Sequence, residues 1–99
     1  MVFVDEGKKT EIGGKVFIIH KAPATVAYSA ALEYNMGQEA KDASKIMSSI
    51  YSLMKYVEVV LDDGRSVTLD NQEIINQHIA DPSVLLQLQK QAVATNFTF

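Results

Sequence analysis

The chain contains no cysteine. This absence excludes disulfide bridges, thiolate metal sites and thiol nucleophiles together, and it is compatible with a reducing cytosol. The fold must therefore rest on packing alone.

Long apolar runs are also missing. Nowhere do about 18 consecutive apolar residues occur, so we expect no membrane-spanning segment and no membrane partner. The first residues include Asp5 and Glu6 and lack the apolar core of a signal peptide, so we expect no secretion signal.

Basic residues are scarce in the second half of the chain. After Arg65 the only basic residue is Lys90, and the formal net charge is −3. Binding to a phosphate backbone needs clustered positive charge that releases counterions. We therefore expect no nucleic-acid partner.

What is present is a globular composition, with 47% apolar and 21% charged residues. The 99 residues fit one domain. We predict that it covers residues 1–99, and we leave open whether residues 1–7 are flexible. Because a domain of this size buries only about 60–65% of the surface of its unfolded chain, self-association also stays open.

Two β-hairpins are predicted, over about 8–20 and about 56–69. Gly13 and Gly14 divide the first, and glycine at both central positions permits the positive φ angles of a two-residue turn. The second contains the turn sequence Asp62 to Arg65 between segments that alternate apolar and polar residues.

Four α-helices accompany the hairpins and complete an α+β fold. Pro23 suits the first turn of the first helix, and Gly37 is a stop signal after its last predicted turn. Asp70, three residues before a glutamate, indicates the start of the third helix, and Asp81 followed by Pro82 indicates the start of the fourth. The predicted helices are about 23–36, 43–55, 71–79 and 82–95.

No catalytic or metal-binding pattern is found. His20 and His78 lie outside any paired spacing, so each is interpreted as a structural or surface residue. Asp62, Asp63 and Asp70 are better explained by turns and caps than by a calcium loop. We therefore predict no enzymatic activity, no cofactor and no metal.

The last helix carries a wide apolar face. Two adjacent apolar stripes run along it, although packing against the core requires only one. The face either is buried within the domain or contacts a protein partner, and the chain then ends on two phenylalanines. The predicted partner-binding residues are Leu85, Leu86, Leu88, Val93, Phe97 and Phe99.

Five short peptides occur in a characteristic order. They are Gly14 to Ile19 (GKVFII), Lys21 to Ala24 (KAPA), Tyr56 to Val59 (YVEV) before the DDG turn, Glu73 to Ile79 (EIINQHI), and Asn96 to Phe99 (NFTF). This order resembles the small tail assembly chaperones of long-tailed bacteriophages, over most of residues 12–99. Those families are often mainly helical, whereas this chain carries two hairpin signals.

The resemblance implies a non-virion assembly factor made in the cytoplasm of the infected bacterial host. Such a factor binds the tape measure protein and helps recruit tail tube subunits around it. Because fold similarity does not fix function, two alternatives stay open. One is a small structural virion protein of the tail or of the joint between head and tail, and the other is a small inhibitor or regulator of a host enzyme.

Overall fold

A computed structural model describes residues 3–97 of the chain. Within that range it contains four strands and four helices, which confirms the predicted α+β class. In chain order the elements are β1 (Lys8–Ile12), β2 (Lys15–Ile19), α1 (Ala24–Ala40), α2 (Ala43–Met54), β3 (Val57–Val60), β4 (Ser66–Thr68), α3 (Gln72–His78) and α4 (Pro82–Asn96).

Both predicted hairpins are confirmed, and together they form one antiparallel sheet in the order β1-β2-β3-β4. The turn between β1 and β2 has positive φ angles at both Gly13 and Gly14. The hairpins join because β2 pairs with β3, which places Phe17 opposite Val59. This pairing brings together strands that two helices separate in the sequence.

The two faces of the sheet have different environments. On the inner face, the side chains of Phe17, Ile19 and Val57 are buried in the core that the helices complete. On the outer face, Val16 and Ile18 are half-buried. The alternation follows from the two-residue period of a strand, which sends neighbouring side chains to opposite faces.

The first helix is longer than predicted. It continues through Gly37 to Ala40, and Lys41 takes the left-handed capping conformation at φ 55°. The prediction that Gly37 ends the helix is wrong because its missing side chain serves packing. A Cβ atom at Gly37 would lie 2.9 Å from Ile46 Cγ1 and 3.0 Å from the Ile46 backbone nitrogen.

Substitution of Gly37 by valine should therefore push α1 and α2 apart. Overpacking of this kind costs about 1–3 kcal/mol of the free energy of unfolding, which urea denaturation measures. Valine at the neighbouring exposed position, Gln38, is the matched control and should cost about 0.5 kcal/mol through helix propensity alone. Equal losses at the two positions would contradict the packing role of Gly37.

The other helices begin at side-chain caps. The Asp42 carboxylate accepts hydrogen bonds from the backbone N–H groups of Ser44 and Lys45 at the start of α2. Asp81 caps α4 as predicted, with Pro82 following it in the first turn. The cap of α3 is Asn71 rather than the predicted Asp70. The Asp70 carboxylate instead accepts a hydrogen bond from the Thr68 hydroxyl.

Candidate protein-binding surface

The predicted binding residues of α4 divide between core and surface. Leu88 is fully buried, so it lies outside any surface that the folded chain presents. Leu85, Val93 and Phe97 are half-buried and pack against the core, whereas Leu86 is 52% exposed. Phe99 lies outside the described residues. The wide apolar face of α4 thus serves mainly its own domain.

The end of α4 is anchored to the segment that precedes α1 and to α1 itself. The Phe97 ring lies 5.4 Å from the Tyr34 ring, centroid to centroid, in a tilted arrangement. The buried Asn96 side chain accepts a hydrogen bond from the Ala22 backbone N–H at 2.8 Å and donates one to the Ala92 carbonyl at 2.9 Å. These contacts give Phe97 a structural role in holding two helices together.

A larger exposed apolar surface lies on α1, because this helix buries its small side chains and exposes its large apolar ones. The helix buries small residues, including Ala27 and Ala30, against the rest of the domain. Its large residues Tyr28, Leu32 and Met36 are 61%, 47% and 55% exposed. We call these three side chains the α1 ridge.

The α1 ridge is continuous because its residues are spaced four apart. Side chains at i, i+4 and i+8 lie along one face of a helix, and these three span about 12 Å of its axis. A ridge of this length matches about two turns of a partner helix. It is the kind of surface that packs into a groove between the side chains of another helix.

The charged residues within α1 have one sign. Within α1 the charged residues are Glu33 and Glu39, and the helix contains no lysine or arginine. Thr25, Ser29 and Asn35 supply exposed uncharged groups beside the ridge. The surface is therefore apolar with a weakly acidic border, which favours a partner that is neutral or basic.

The spacing of the α1 ridge is visible in the sequence, but its exposure is not. Its i, i+4, i+8 spacing is as regular as the spacing of the alanines that form the buried face of α1. Which stripe faces inward depends on α2, because only small residues and Gly37 permit the close approach of its backbone. The periodicity of the α1 sequence alone therefore does not show which of the two stripes is buried.

A second group of interest surrounds His20, which is 4% exposed. Its Nε2 lies 2.7 Å from the Glu58 carboxylate, and its Nδ1 lies 3.1 Å from the Asp5 carboxylate. The Phe3 ring stacks on the imidazole with 3.7 Å between centroids. The structural role predicted for His20 is thus that of a link between the N-terminal residues and β3.

The geometry of this cluster does not match that of a catalytic triad. The Ser66 hydroxyl donates to Glu58 Oε1 at 2.7 Å and makes no hydrogen bond to His20. Because the two carboxylates approach opposite ring nitrogens, they do not converge on one point as metal ligands do. Within residues 3–97, no group of three or more histidine and acidic side chains is arranged to hold a metal ion.

The carboxylate of Glu58 is held in its charged form. Burial acts to raise its pKa, but the hydrogen bonds from His20 and Ser66 outweigh burial, and the pKa of Glu58 is lowered. The unfolded chain binds this proton at the ordinary glutamate pKa of about 4.3. The stabilisation is therefore present above that value and is lost as the pH falls through the lower pKa of the folded state.

Substitution of Glu58 by glutamine should reveal how this stabilisation depends on pH. We expect Glu58→Gln to lower the free energy of unfolding by about 1–3 kcal/mol near neutral pH, because a charged hydrogen-bond acceptor is lost. The difference from wild type should shrink as the pH falls below about 4. Hydrogen bonds from Ser44 and Ser83 also lower the pKa values of the capping carboxylates Asp42 and Asp81. Both proteins contain these two groups, so their contribution to the pH dependence is the same in each and drops out of the difference. A difference that stays constant with pH would contradict the assignment.

Compared with family models, curated proteins and solved structures, the chain matches none of them. Within residues 3–97, no helix combines the length and the apolar character needed to cross a lipid bilayer. The functional inference therefore rests on the surfaces of this chain and on the sequence resemblance.

Proposed function

We propose that the chain is a non-enzymatic phage morphogenesis factor, a tail assembly chaperone that binds the tape measure protein and assists tail tube assembly. The observation that carries the binding role is the α1 ridge, where three large apolar side chains are exposed in a row. The assignment to tail assembly is supported by the resemblance of residues 12–99. Its place of action is the cytoplasm of the infected bacterial host.

The proposed contact is helix against helix. An amphipathic helix of the partner lays its apolar face along Tyr28, Leu32 and Met36. Since each ridge side chain is already about half buried, covering it contributes on the order of 1 kcal/mol. Such an interface is reversible, which a chaperone needs when tail tube subunits replace it.

The partner helix should be neutral or basic at its polar border. Glu33 and Glu39 border the α1 ridge without any basic residue in α1, and the whole chain has a net charge of −3. Like charges brought together across an interface are unfavourable, so an acidic partner helix is disfavoured. A second copy of the same α1 surface would bring glutamates together and is disfavoured for the same reason.

Gene order offers a first test. A neighbouring gene that encodes a very long helical protein supports the proposal, whereas a neighbourhood of metabolic genes contradicts it. The biochemical test is co-expression of the chain with that long protein and measurement of how much of the long protein stays soluble and co-purifies. The proposal predicts a soluble complex, and equal aggregation with and without the chain would overturn it.

A structural virion protein is a second candidate, favoured by the outer face of the sheet. Val16, Ile18 and Val60 are half-buried there, and none belongs to the fully buried set that forms the core. In this case the outer face would make contacts between subunits. Mass spectrometry of purified particles separates the two functions, since a structural protein is found in the particle and an assembly chaperone is not.

A further inference from the structure

The residues before β1 form a strap across the end of the sheet. We define the strap as residues 3–7. It is attached at three points: the Phe3 ring stacks on His20, the Asp5 carboxylate binds His20 Nδ1, and Gly7 contacts Ile18 and His20. Asp5 also accepts a weak hydrogen bond from the Lys21 backbone N–H at 3.3 Å.

The pairing at His20 requires a particular protonation state. A neutral imidazole has one ring nitrogen that donates and one that accepts, whereas the imidazolium ion donates from both. His20 faces a carboxylate oxygen at each ring nitrogen, at 3.1 Å and 2.7 Å. If one nitrogen lost its proton, its lone pair would face a negatively charged oxygen. Both ring nitrogens can therefore donate to Asp5 and Glu58 at once only when the imidazole carries two N–H groups.

The Phe3 ring adds to the preference for the charged form. It lies parallel to the imidazole, with 2° between the ring planes. A cation above the face of an aromatic ring is attracted by the negative face of the ring. The contacts of Phe3 and Asp5 with His20 are therefore both strongest when the ring carries its second proton.

The charged groups around the ring come from two elements. Asp5 belongs to the strap, and Glu58 belongs to β3, where the Ser66 hydroxyl of β4 supports it. Lys9 lies in the same cross-strand row as Ile18 and Glu58, and it makes no ion pair within residues 3–97. The Tyr56 backbone carbonyl accepts a hydrogen bond from the backbone N–H of His20 at 3.0 Å.

We propose that His20 is a proton-controlled latch for the strap. With both ring nitrogens protonated, it joins Asp5 of the strap to Glu58 of the sheet. Removal of one proton leaves a neutral ring, which keeps one N–H hydrogen bond to a carboxylate and turns the lone pair of its other nitrogen toward the second carboxylate. The contact that breaks is the one to Asp5, because Asp5 is the more exposed carboxylate, with 35% of its side chain accessible against 16% for Glu58.

Release of the strap uncovers part of the sheet. Ile18 and His20 both contact Gly7, which lies against them at φ +80° in space that a side chain would not fit. When the strap leaves, the half-buried Ile18 becomes more accessible on the outer face, beside the half-buried Val16 and Val60. The latch therefore couples pH to the accessibility of this face, and it acts at a site separate from the α1 ridge.

Nuclear magnetic resonance of the full chain tests the latch. Backbone order parameters of residues 5–7 are measured at about pH 5.5 and about pH 8.5, on either side of the usual histidine range. The latch predicts that they fall from about 0.85 to below about 0.6 as the pH rises, while those of β2 and β3 stay unchanged. Nitrogen shifts of the imidazole should show two protonated nitrogens at the lower pH.

Two variants make the outcome decisive. His20→Phe keeps an aromatic ring but cannot donate, so its strap should be mobile at both pH values. Asp5→Asn leaves the buried His20 in place and removes only the charge of the Asp5 side chain, so it should show a mobile strap at the lower pH even if His20→Phe does not fold. Strap order that is independent of pH in wild type, or that is retained in Asp5→Asn, would overturn the proposal.

Discussion

Replacement of both Leu32 and Met36 by lysine should weaken binding of the helical partner by at least about 100-fold. Each substitution removes an apolar anchor and places a charge where the partner's apolar face would lie. A loss of about 1.4 kcal/mol at each site corresponds to about tenfold in affinity. Titration of the purified chain with a partner fragment, followed by calorimetry or anisotropy, measures the change.

The double variant should fold as well as wild type. Leu32 and Met36 are exposed, and lysine is a good helix former. Lysine at position 36 also lies three residues from both Glu33 and Glu39, which adds favourable pairs on the helix surface. Gln87→Lys, at an exposed position of α4, is the matched control and should leave affinity unchanged. Equal loss in the control would point to a general effect of positive charge.

Alanine at Phe17 should have the largest effect on stability. The Phe17 side chain is completely buried at the centre of the sheet's inner face, opposite Val59. Truncation of a buried phenylalanine lowers the free energy of unfolding by about 3–5 kcal/mol, through lost burial and the cavity left behind. For a domain whose total stability is about 5–15 kcal/mol, this loss leaves a marginal fold.

The neighbouring position provides the comparison. Val16 lies on the same strand and its half-buried side chain points to the outer face. Val16→Ala should therefore lower the free energy of unfolding by about 1 kcal/mol or less. Urea denaturation measures the loss in each variant, and similar losses would contradict the assignment of Val16 to the less buried, outer face of the sheet.

The features predicted well from the sequence are those with local causes. The Gly13 and Gly14 turn depends on φ angles that glycine adopts freely, and the structure has both angles positive. The start of α4 depends on Asp81 and Pro82, which act within one turn. In each case the residues that decide the structure are neighbours in the chain.

The features predicted poorly depend on distant residues. The role of Gly37 is set by its approach to Ile46 of the next helix, so a local stop signal was overridden by packing. Leu88 belongs to the predicted partner-binding set on the wide apolar face of α4, and the structure places its side chain in the core, fully buried. Asp5, His20 and Glu58 are separated by 15 and 38 positions, and no motif links them before the sheet forms.

The chain's lack of cysteine allows the central claim to be tested directly, by introducing single cysteines and measuring alkylation. Leu32→Cys lies on the α1 ridge, and Gln87→Cys lies on an exposed part of α4 away from it. The rate of alkylation of each is measured with and without the long helical protein. We expect binding to slow alkylation at position 32 by at least about tenfold and to leave position 87 unchanged, since buried thiols do not react. Full reactivity at position 32 in a purified complex would contradict the assignment of the α1 ridge as the binding surface.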